Sequence, residues 1–283
     1  MTLPNLIGAN DLAERQRRGD VLVVDCRFDL ADTGKGEREY LAGHIPSAAY
    51  MHLDRDLSDL SKRGLGRHPL PHDLVFSEAL ARIGWRAGLD VVAYDDAQGA
   101  LAAARLWWLL RLAGIRNAAV LDGGWAAWRA AGRKVESGAT TLAQTPVQLT
   151  LDRAQVVWFD ELERRRASGD VLLIDARGAP RYRGEVEPID PVAGHVPNAR
   201  NRPFADNLDA SGCFKPREEL RSEFERVLGG RHPREVVHMC GSGVTACHNL
   251  LAMEHAGLTG SRVFAPSWSG WIADPSRSVA TGP

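Results

Sequence analysis

Short apolar runs alternate with segments of helical spacing along this chain, and the alternation predicts its secondary structure. In the first half, the apolar runs predict buried strands at residues 21–24, 91–94 and 118–121. Helical spacing predicts helices at residues 12–18, 77–83 and 101–112. Short apolar strands separated by helices are typical of a parallel sheet covered on both faces.

The second half predicts a similar series of elements. Helices are expected at residues 159–166 and 217–227, and strands at 171–174 and 262–264. A further strand should end just before Cys240, and a helix should begin shortly after it. The predicted fold class is therefore α/β in both halves.

Three landmarks occur in the same order in each half, and they indicate a tandem repeat of one domain. The paired landmarks are Asp25-Cys26-Arg27 with Asp175-Ala176-Arg177, Gly43-His44-Ile45-Pro46 with Gly194-His195-Val196-Pro197, and Trp125/Trp128 with Trp268/Trp271. The first is interpreted as a turn with an ion pair, the second as an ordering loop and the third as core aromatics. We predict an N-terminal domain over residues 1–136, a linker over 137–150 and a C-terminal domain over 151–283, because the linker region is rich in small residues without periodicity.

Composition narrows the class of protein without naming a function. The chain has 283 residues, of which 44% are hydrophobic and 25% charged, with a formal net charge of -1, so neither nucleic acid nor an anionic membrane is an expected partner. No apolar run is long enough to span a bilayer, and no signal-peptide pattern is visible. The four cysteines show no CxxC spacing, so neither a metal site nor a disulfide framework is expected. A cytoplasmic monomer is the expectation.

The most informative stretch is the loop that begins at Cys240. This cysteine follows an apolar strand, and Gly241-Ser242-Gly243 separates it from a helical segment. A strand, a glycine-rich turn and a helix start together direct several backbone N–H groups toward one point, where an anion is favoured. Such a nest should favour the thiolate of Cys240, which is the nucleophilic form. A buried structural cysteine is the alternative, which the glycine-rich turn disfavours.

The loop sequence Cys240-Gly-Ser-Gly-Val-Thr-Ala resembles the active-site loop of the 3-mercaptopyruvate sulfurtransferases, close relatives of the rhodaneses. The resemblance covers nearly the whole chain and implies two tandem rhodanese-like domains, with the active site in the cleft between them. It implies that Cys240 accepts a sulfane sulfur as a persulfide and passes it to a thiol or cyanide, with thioredoxin as one candidate acceptor. Loop residues Gly241, Gly243, Val244 and Thr245 would contact the donor. No metal or organic cofactor is implied.

The first half carries Asp95 where the second half carries Cys240. A carboxylate cannot form a persulfide, so only the C-terminal domain is expected to be catalytic. The N-terminal domain would serve as scaffold and lid. The other three cysteines are expected to be bystanders, and Cys247 should face away from the loop as a buried helix residue.

Binding of an anionic donor calls for a cation near Cys240. Arg181 matches the first of two arginines with which the family holds the donor carboxylate, and a guanidinium suits that task because it binds carboxylates through two bonds. The second family arginine should fall in the loop 187–190, where none occurs; Arg183, Arg200 or Arg202 are the candidate substitutes. The uncharged loop after Cys240 favours a monoanionic donor, since thiosulfate-using relatives carry basic residues there.

The resemblance also implies a relay of three polar side chains that activates the donor thiol. Ser242 matches its serine, His68 its histidine and Asp54 its aspartate, with His52 and His72 as competing candidates. An oriented imidazole that makes a hydroxyl basic is the logic of such a relay.

Three other functions remain as alternatives. A thiosulfate:cyanide sulfurtransferase would use the same cysteine with a different donor. A non-catalytic rhodanese-like binding module would keep its partner after alkylation of Cys240. A cysteine phosphatase or arsenate reductase is disfavoured, because its loop would close with an arginine that this loop lacks.

Overall fold

The computed structural model describes residues 3–283, which form two compact units. The first unit contains the residues up to Asp59 together with Leu70–Asp152 and Ala210–Cys213. The second contains Leu60–Pro69, Arg153–Asp209 and Phe214–Pro283. The second unit thus includes a ten-residue segment, Leu60–Pro69, that precedes most of the first unit in sequence.

The first unit is a five-stranded parallel sheet with helices between its strands. Its elements are β1 (Leu6–Ile7), α1 (Ala9–Arg18), β2 (Val21–Asp25), α2 (Lys35–Ala42), β3 (Ala49–Tyr50), α3 (Leu53–Asp56), α4 (Asp73–Arg82), β4 (Asp90–Tyr94), α5 (Ala102–Leu112), β5 (Ala118–Leu121) and α6 (Gly124–Ala130). The strand order is β1-β5-β4-β2-β3. The apolar strands are buried because helices lie between them in the chain and pack on the sheet.

The second unit repeats this architecture. Its elements are β6 (Val156–Val157), α7 (Phe159–Ser168), β7 (Leu172–Asp175), α8 (Ala179–Arg183), β8 (Arg200–Asn201), α9 (Arg217–Leu228), β9 (Val236–Met239), α10 (Ala246–His255), β10 (Arg262–Phe264) and α11 (Ser267–Trp271), with short 3-10 turns at Arg153–Gln155, Phe204–Asn207 and Pro233–Glu235. The strand order is β6-β10-β9-β7-β8, again all parallel. The two orders are identical when β1 to β5 are replaced by β6 to β10, which confirms the repeat predicted from the landmarks.

Every strand and helix predicted from periodicity is present, with ends that differ by a few residues. The largest shift is at α4, which begins at Asp73 rather than at residue 77, because the side chain of His72 caps its first turn by accepting the N–H of Leu74. The eight-residue helix α2 was missed because Gly36 and Tyr40 are its buried residues, which gives no apolar period. The other missed elements are shorter, such as the two-residue edge strands and the helices α3 and α8. Segments of that length carry too few positions for a period to be recognised.

The repeated landmarks hold the strand ends in place. Asp25 and Arg27 form a buried ion pair, and the same guanidinium donates to Gly43 O at 2.7 Å. Asp175 and Arg177 do the same in the second unit, with Gly194 O at 2.7 Å. These contacts confirm the interpretation of Asp-x-Arg as a turn with an ion pair.

Three of the four paired tryptophans are core residues, as predicted, and Trp125 is half-buried and packs against the core of the first unit. Trp128, Trp268 and Trp271 are at most 2% exposed. The guanidinium of Arg27 lies 4.7 Å from the ring centre of Trp125, and that of Arg177 lies 4.7 Å from Trp268. The aromatic rings therefore cover the buried ion pairs, which reduces their contact with water.

None of the helices formed by residues 3–283 combines the length and the apolar character that crossing a membrane requires.

Candidate active site

Cys240 lies directly after the central strand β9, at the carboxyl end where parallel sheets bind ligands. Its side chain is 1% exposed. The backbone N–H of Gly243 donates to Cys240 Sγ at 3.2 Å. The sulfur is therefore held by a peptide dipole of its own loop rather than by hydrocarbon alone, and such a contact stabilises a thiolate.

The close turn of the loop depends on glycine. Gly243 has a φ of 77°, and a Cβ atom added there would lie 2.4 Å from the carbonyl oxygen of Ala265. Glycine adopts this left-handed conformation without steric cost and is the one residue that fits so near a backbone carbonyl. The N–H that contacts Cys240 Sγ therefore belongs to a residue that has to be glycine.

The start of α11 clamps the other side of the loop. Ser267 Oγ accepts the N–H of Cys240 at 3.1 Å, and the N–H of Trp268 donates to Cys240 O at 2.9 Å. Ser269 N–H donates to Gly241 O at 2.9 Å. These three bonds fix the backbone on both sides of the sulfur, which a nucleophile needs if its attack geometry is to be reproducible.

Asp95 occupies the equivalent place in the first unit, directly after the central strand β4. Its carboxylate accepts four backbone N–H groups, with Oδ1 bound to Ala97 at 2.9 Å and Gly99 at 2.7 Å, and Oδ2 bound to Leu101 and Ala103 at 3.1 Å each. This is the anion nest expected at such a turn. In the first unit, the side chain of Asp95 therefore takes the place of a bound anion. Burial raises the pKa of Asp95 to about 6.

Ser242 and His68 are brought together in the second unit. His68 Nδ1 lies 2.8 Å from Ser242 Oγ, and both residues are buried, at 4% and 6% exposure. This distance corresponds to a hydrogen bond that can orient the hydroxyl. Of the three histidines considered from the sequence, His68 is the one that the structure places against Ser242.

Backbone contacts of Gly66 and Arg67 hold the segment that carries His68 in place. Gly66 has a φ of 90°, and a Cβ atom there would lie 2.4 Å from the carbonyl oxygen of Pro266. The N–H of Arg67 donates to Ser269 Oγ at 3.0 Å. Because residue 269 also clamps the loop at Gly241, the segment and the cysteine loop share one support.

Asp54 belongs to the first unit, in the first turn of α3. Its N–H donates to His52 Nδ1 at 3.1 Å, so that His52 is the cap of this helix. His72 similarly caps α4. The two competing histidines therefore have structural tasks, and a role for Asp54 in orienting His68 stays a prediction.

Arg181 lies on α8, and its guanidinium is bound to two acidic side chains. Nη2 lies 2.7 Å from Glu187 Oε1 and 3.2 Å from Asp190 Oδ2. Burial alone would raise the pKa of Glu187, but bonds from Arg181 and from two backbone N–H groups lower it below its ordinary value. Burial raises the pKa of Asp190 against the opposing pull of the guanidinium groups beside it.

Arg67 is a charged residue of this region that the sequence did not single out. Its guanidinium forms an ion pair with Asp190. A Cβ atom added to Gly241 would lie 2.9 Å from Arg67 Nη2 and 3.7 Å from Arg181 Nη2, so both guanidinium groups approach the residue after Cys240. The one available signal was its position next to His68 in the sequence.

The three candidate substitutes for the missing family arginine are engaged elsewhere. Arg183 binds Glu185 at 2.7 Å, Arg200 donates to Val227 O at 2.6 Å, and Arg202 binds Glu223 at 2.8 Å. Replacement of the missing family arginine by one of them therefore stays a prediction.

The remaining predicted loop residues follow Cys240 directly, and their contact with the donor stays a prediction. Gly241, Gly243 and Val244 are buried, and Thr245 is the half-buried residue that precedes α10. Cys247 is fully buried on α10, as expected, but its orientation was predicted wrongly. Its thiol lies 3.4 Å from Gly243 O and so contacts the loop, because a side chain in the first turn of a helix lies beside the carbonyl four residues before it.

The comparison with protein families decides the class of this chain. The model of the rhodanese-like domain matches it twice, over residues 8–131 and 159–274. The chain belongs to the rhodanese-like sulfurtransferases. Each match covers four of the five strands of one sheet, β2 to β5 and β7 to β10, and the pair confirms the fold predicted from the sequence.

Individual relatives point the same way. The chain is 46% identical over the full length of both proteins to a probable 3-mercaptopyruvate sulfurtransferase of Pseudomonas aeruginosa. It is 39% identical to a putative thiosulfate sulfurtransferase of Mycobacterium tuberculosis, over 98% of this chain and 97% of that protein. The crystal structure of the 3-mercaptopyruvate sulfurtransferase of Escherichia coli superposes with a TM-score of 0.80 at 28% identity, covering 94% of this chain and 99% of that one.

Proposed function

We propose that this enzyme takes the sulfur of 3-mercaptopyruvate onto Cys240 as a persulfide and passes it to a thiol or cyanide. The observation that carries the proposal is the buried Ser242–His68 pair beside the loop of a cysteine whose sulfur already accepts a backbone N–H. A proton-relaying pair has a task with a mercaptan donor, since the donor carries a thiol proton. The names of the similar proteins support the same donor.

In the first half-reaction, the Cys240 thiolate attacks the donor sulfur. The new S–S bond forms as the C–S bond breaks, and the electron pair of that bond goes to carbon, which leaves as the enolate of pyruvate. The proton of the donor thiol is transferred through Ser242 and His68 and returns to the enolate carbon. The N–H of Gly243 holds the sulfur of Cys240 that makes this attack.

In the second half-reaction, the acceptor attacks the outer sulfur of the persulfide. A thiol becomes a persulfide, or cyanide becomes thiocyanate, and Cys240 returns to its thiolate. Transfer through a covalent intermediate predicts ping-pong kinetics. We propose a small thiol or reduced thioredoxin as the acceptor, a monomer as the working form and the reducing cytoplasm as its compartment, where the four cysteines would persist as thiols.

Comparison of two donors tests the proposal. With thiosulfate the S–S bond breaks and sulfite leaves, so no proton needs to move. Replacement of Ser242 by Ala should therefore lower kcat with 3-mercaptopyruvate by about 10²- to 10³-fold, the contribution typical of a positioned proton-transfer group, and change the thiosulfate rate by less than threefold or so.

The wild-type protein should prefer 3-mercaptopyruvate in kcat/KM. Equal losses with both donors in Ser242→Ala would contradict a proton-transfer role for the pair. A wild-type preference for thiosulfate would favour the second candidate, a thiosulfate sulfurtransferase, to which the Mycobacterium tuberculosis relative points by name. A non-catalytic binding module predicts no transfer from either donor.

A further inference from the structure

Four charged side chains of the second unit form a cluster beside the cysteine loop, here called the donor-charge cluster: Arg67, Arg181, Glu187 and Asp190. Asp190 lies between the two arginines, with Oδ1 on Arg67 and Oδ2 on Arg181. Glu187 binds Arg181 through both of its oxygen atoms, at 2.7 and 3.2 Å. The carboxylate of Asp190 thus occupies the position that a bridging anionic ligand would take.

The cluster is directed at the residue that follows the nucleophile. A Cβ atom added to Gly241 would lie 2.9 Å from Arg67 Nη2 and 3.7 Å from Arg181 Nη2. A side chain at residue 241 would therefore fill the space between the two guanidinium groups. Arg67 Nε is buried and has no hydrogen-bond partner among residues 3–283. A buried guanidinium donor without an acceptor is costly and favours an incoming anion.

A pocket adjoins the cluster on the side of Arg67 and Asp190. The Arg67–Asp190 contact forms part of the wall of a pocket of about 510 Å³ in the second unit, and Lys62 and Arg63 line the same pocket. Its basic lining favours the entry of anions.

The formal charge of the cluster is zero, because two guanidinium groups face two carboxylates. A ligand that binds the arginines must therefore compete with a carboxylate that is already present. Glu187 is held by two backbone N–H groups as well as by Arg181, whereas the carboxylate of Asp190 is held by the guanidinium groups. Asp190 is accordingly the acid that a ligand can displace.

We infer that Arg67 replaces the second donor-binding arginine of the family, and that Asp190 is an internal counter-ion displaced by the donor carboxylate. The inference rests on the proposed function and deepens it. A displaced Asp190 remains near the bound donor and repels it. Because Coulomb energy scales with ligand charge, this repulsion is twice as large for a dianion as for a monoanion. Asp190 thereby selects a monoanionic donor over thiosulfate.

Direct binding of two product-like anions tests the inference without turnover. Isothermal titration calorimetry at constant ionic strength would measure Kd for pyruvate, a monoanion, and for sulfate, a dianion. Asp190→Asn should lower Kd about tenfold for pyruvate and about a hundredfold for sulfate, as expected for removal of one charge at a distance of several Å. Arg67→Gln should weaken both, and its fold should persist because the backbone of residue 67 makes the bond to Ser269.

Glu185→Gln is the matched control. It removes one negative charge from the same loop, but the exposed Glu185 binds Arg183, which lies outside the cluster. Equal shifts for pyruvate and sulfate in Asp190→Asn, an equal effect of Glu185→Gln, or unchanged binding in Arg67→Gln would overturn the inference. If binding shifts as predicted but no sulfur is transferred, the proposed function fails and the charge selection stands.

Discussion

Asp95 occupies the ring of backbone N–H groups in the first unit, and the pH dependence of stability tests whether its carboxyl group is protonated there. Its pKa is about 6, against an ordinary value of 3.8, because burial disfavours the charged form more than the four amides and their N–H bonds favour it. The folded state therefore binds a proton more tightly than the unfolded state. The associated stability is present at acid pH and is lost as the pH rises through 6.

The perturbation is Asp95→Asn, which removes this titration. For the two pKa values above, linkage predicts that the free energy of unfolding of the wild type falls by about 2 kcal/mol between pH 4.5 and pH 7. The variant should not show this decrease. Within this pH range the stability advantage of the wild type should thus be largest at pH 4.5, and it should shrink toward pH 7. There the variant also loses acceptors, since asparagine offers one oxygen atom where the carboxyl group offers two for the four N–H groups.

Urea unfolding at several pH values, followed by pulsed hydrogen exchange and mass spectrometry of peptides from the first unit, measures the difference. Asp96→Asn is the control, because Asp96 is the exposed neighbour. A difference between wild type and Asp95→Asn that stays constant with pH, or that grows toward neutral pH, would refute the reasoning. It would mean that the amides hold this carboxylate ionised in spite of burial.

Three further predictions concern the second unit. Gly243→Ala should lose sulfur transfer and about 2–4 kcal/mol of stability, whereas Gly230→Ala, with a similar φ but open space around it, should cost about 1–2 kcal/mol and keep activity, as urea unfolding and initial rates would show. Gly66→Ala should displace the segment that carries His68 and lower kcat with 3-mercaptopyruvate at least about tenfold, as expected when a catalytic group is misplaced. Gly64→Ala in the same segment, where the added Cβ meets open space, should leave kcat unchanged. Cys247→Ser should retain sulfur transfer, as initial rates would show. A loss of transfer in this variant would assign the thiol of Cys247 a catalytic role.

The sequence was sufficient for features that depend on local pattern. The strands and helices with several periods were predictable because burial dictates their spacing, and the repeat was visible because Asp25–Arg27 and Asp175–Arg177 solve the same structural problem twice. Cys240 and Asp95 could be placed because each directly follows a central strand.

Features that depend on distant parts of the chain could not be predicted. Arg67 reaches Gly241 because Gly66 packs against the carbonyl of Pro266, and no local pattern encodes a contact across 200 residues. The candidate arginines near the loop 187–190 were chosen by proximity in sequence, which does not determine where a long side chain ends. The orientation of Cys247 was wrong for a different, local reason, since its thiol contacts the carbonyl of Gly243, four residues earlier in the chain.

The central claim is that Cys240 carries the sulfur, and mass spectrometry of the protein after incubation with 3-mercaptopyruvate alone tests it most directly. Without an acceptor, the protein should gain the mass of about one sulfur atom, and peptide mapping should place it on Cys240; Cys240→Ser should gain none. An unchanged mass in the wild type, or a sulfur atom located on Cys247, would contradict the account.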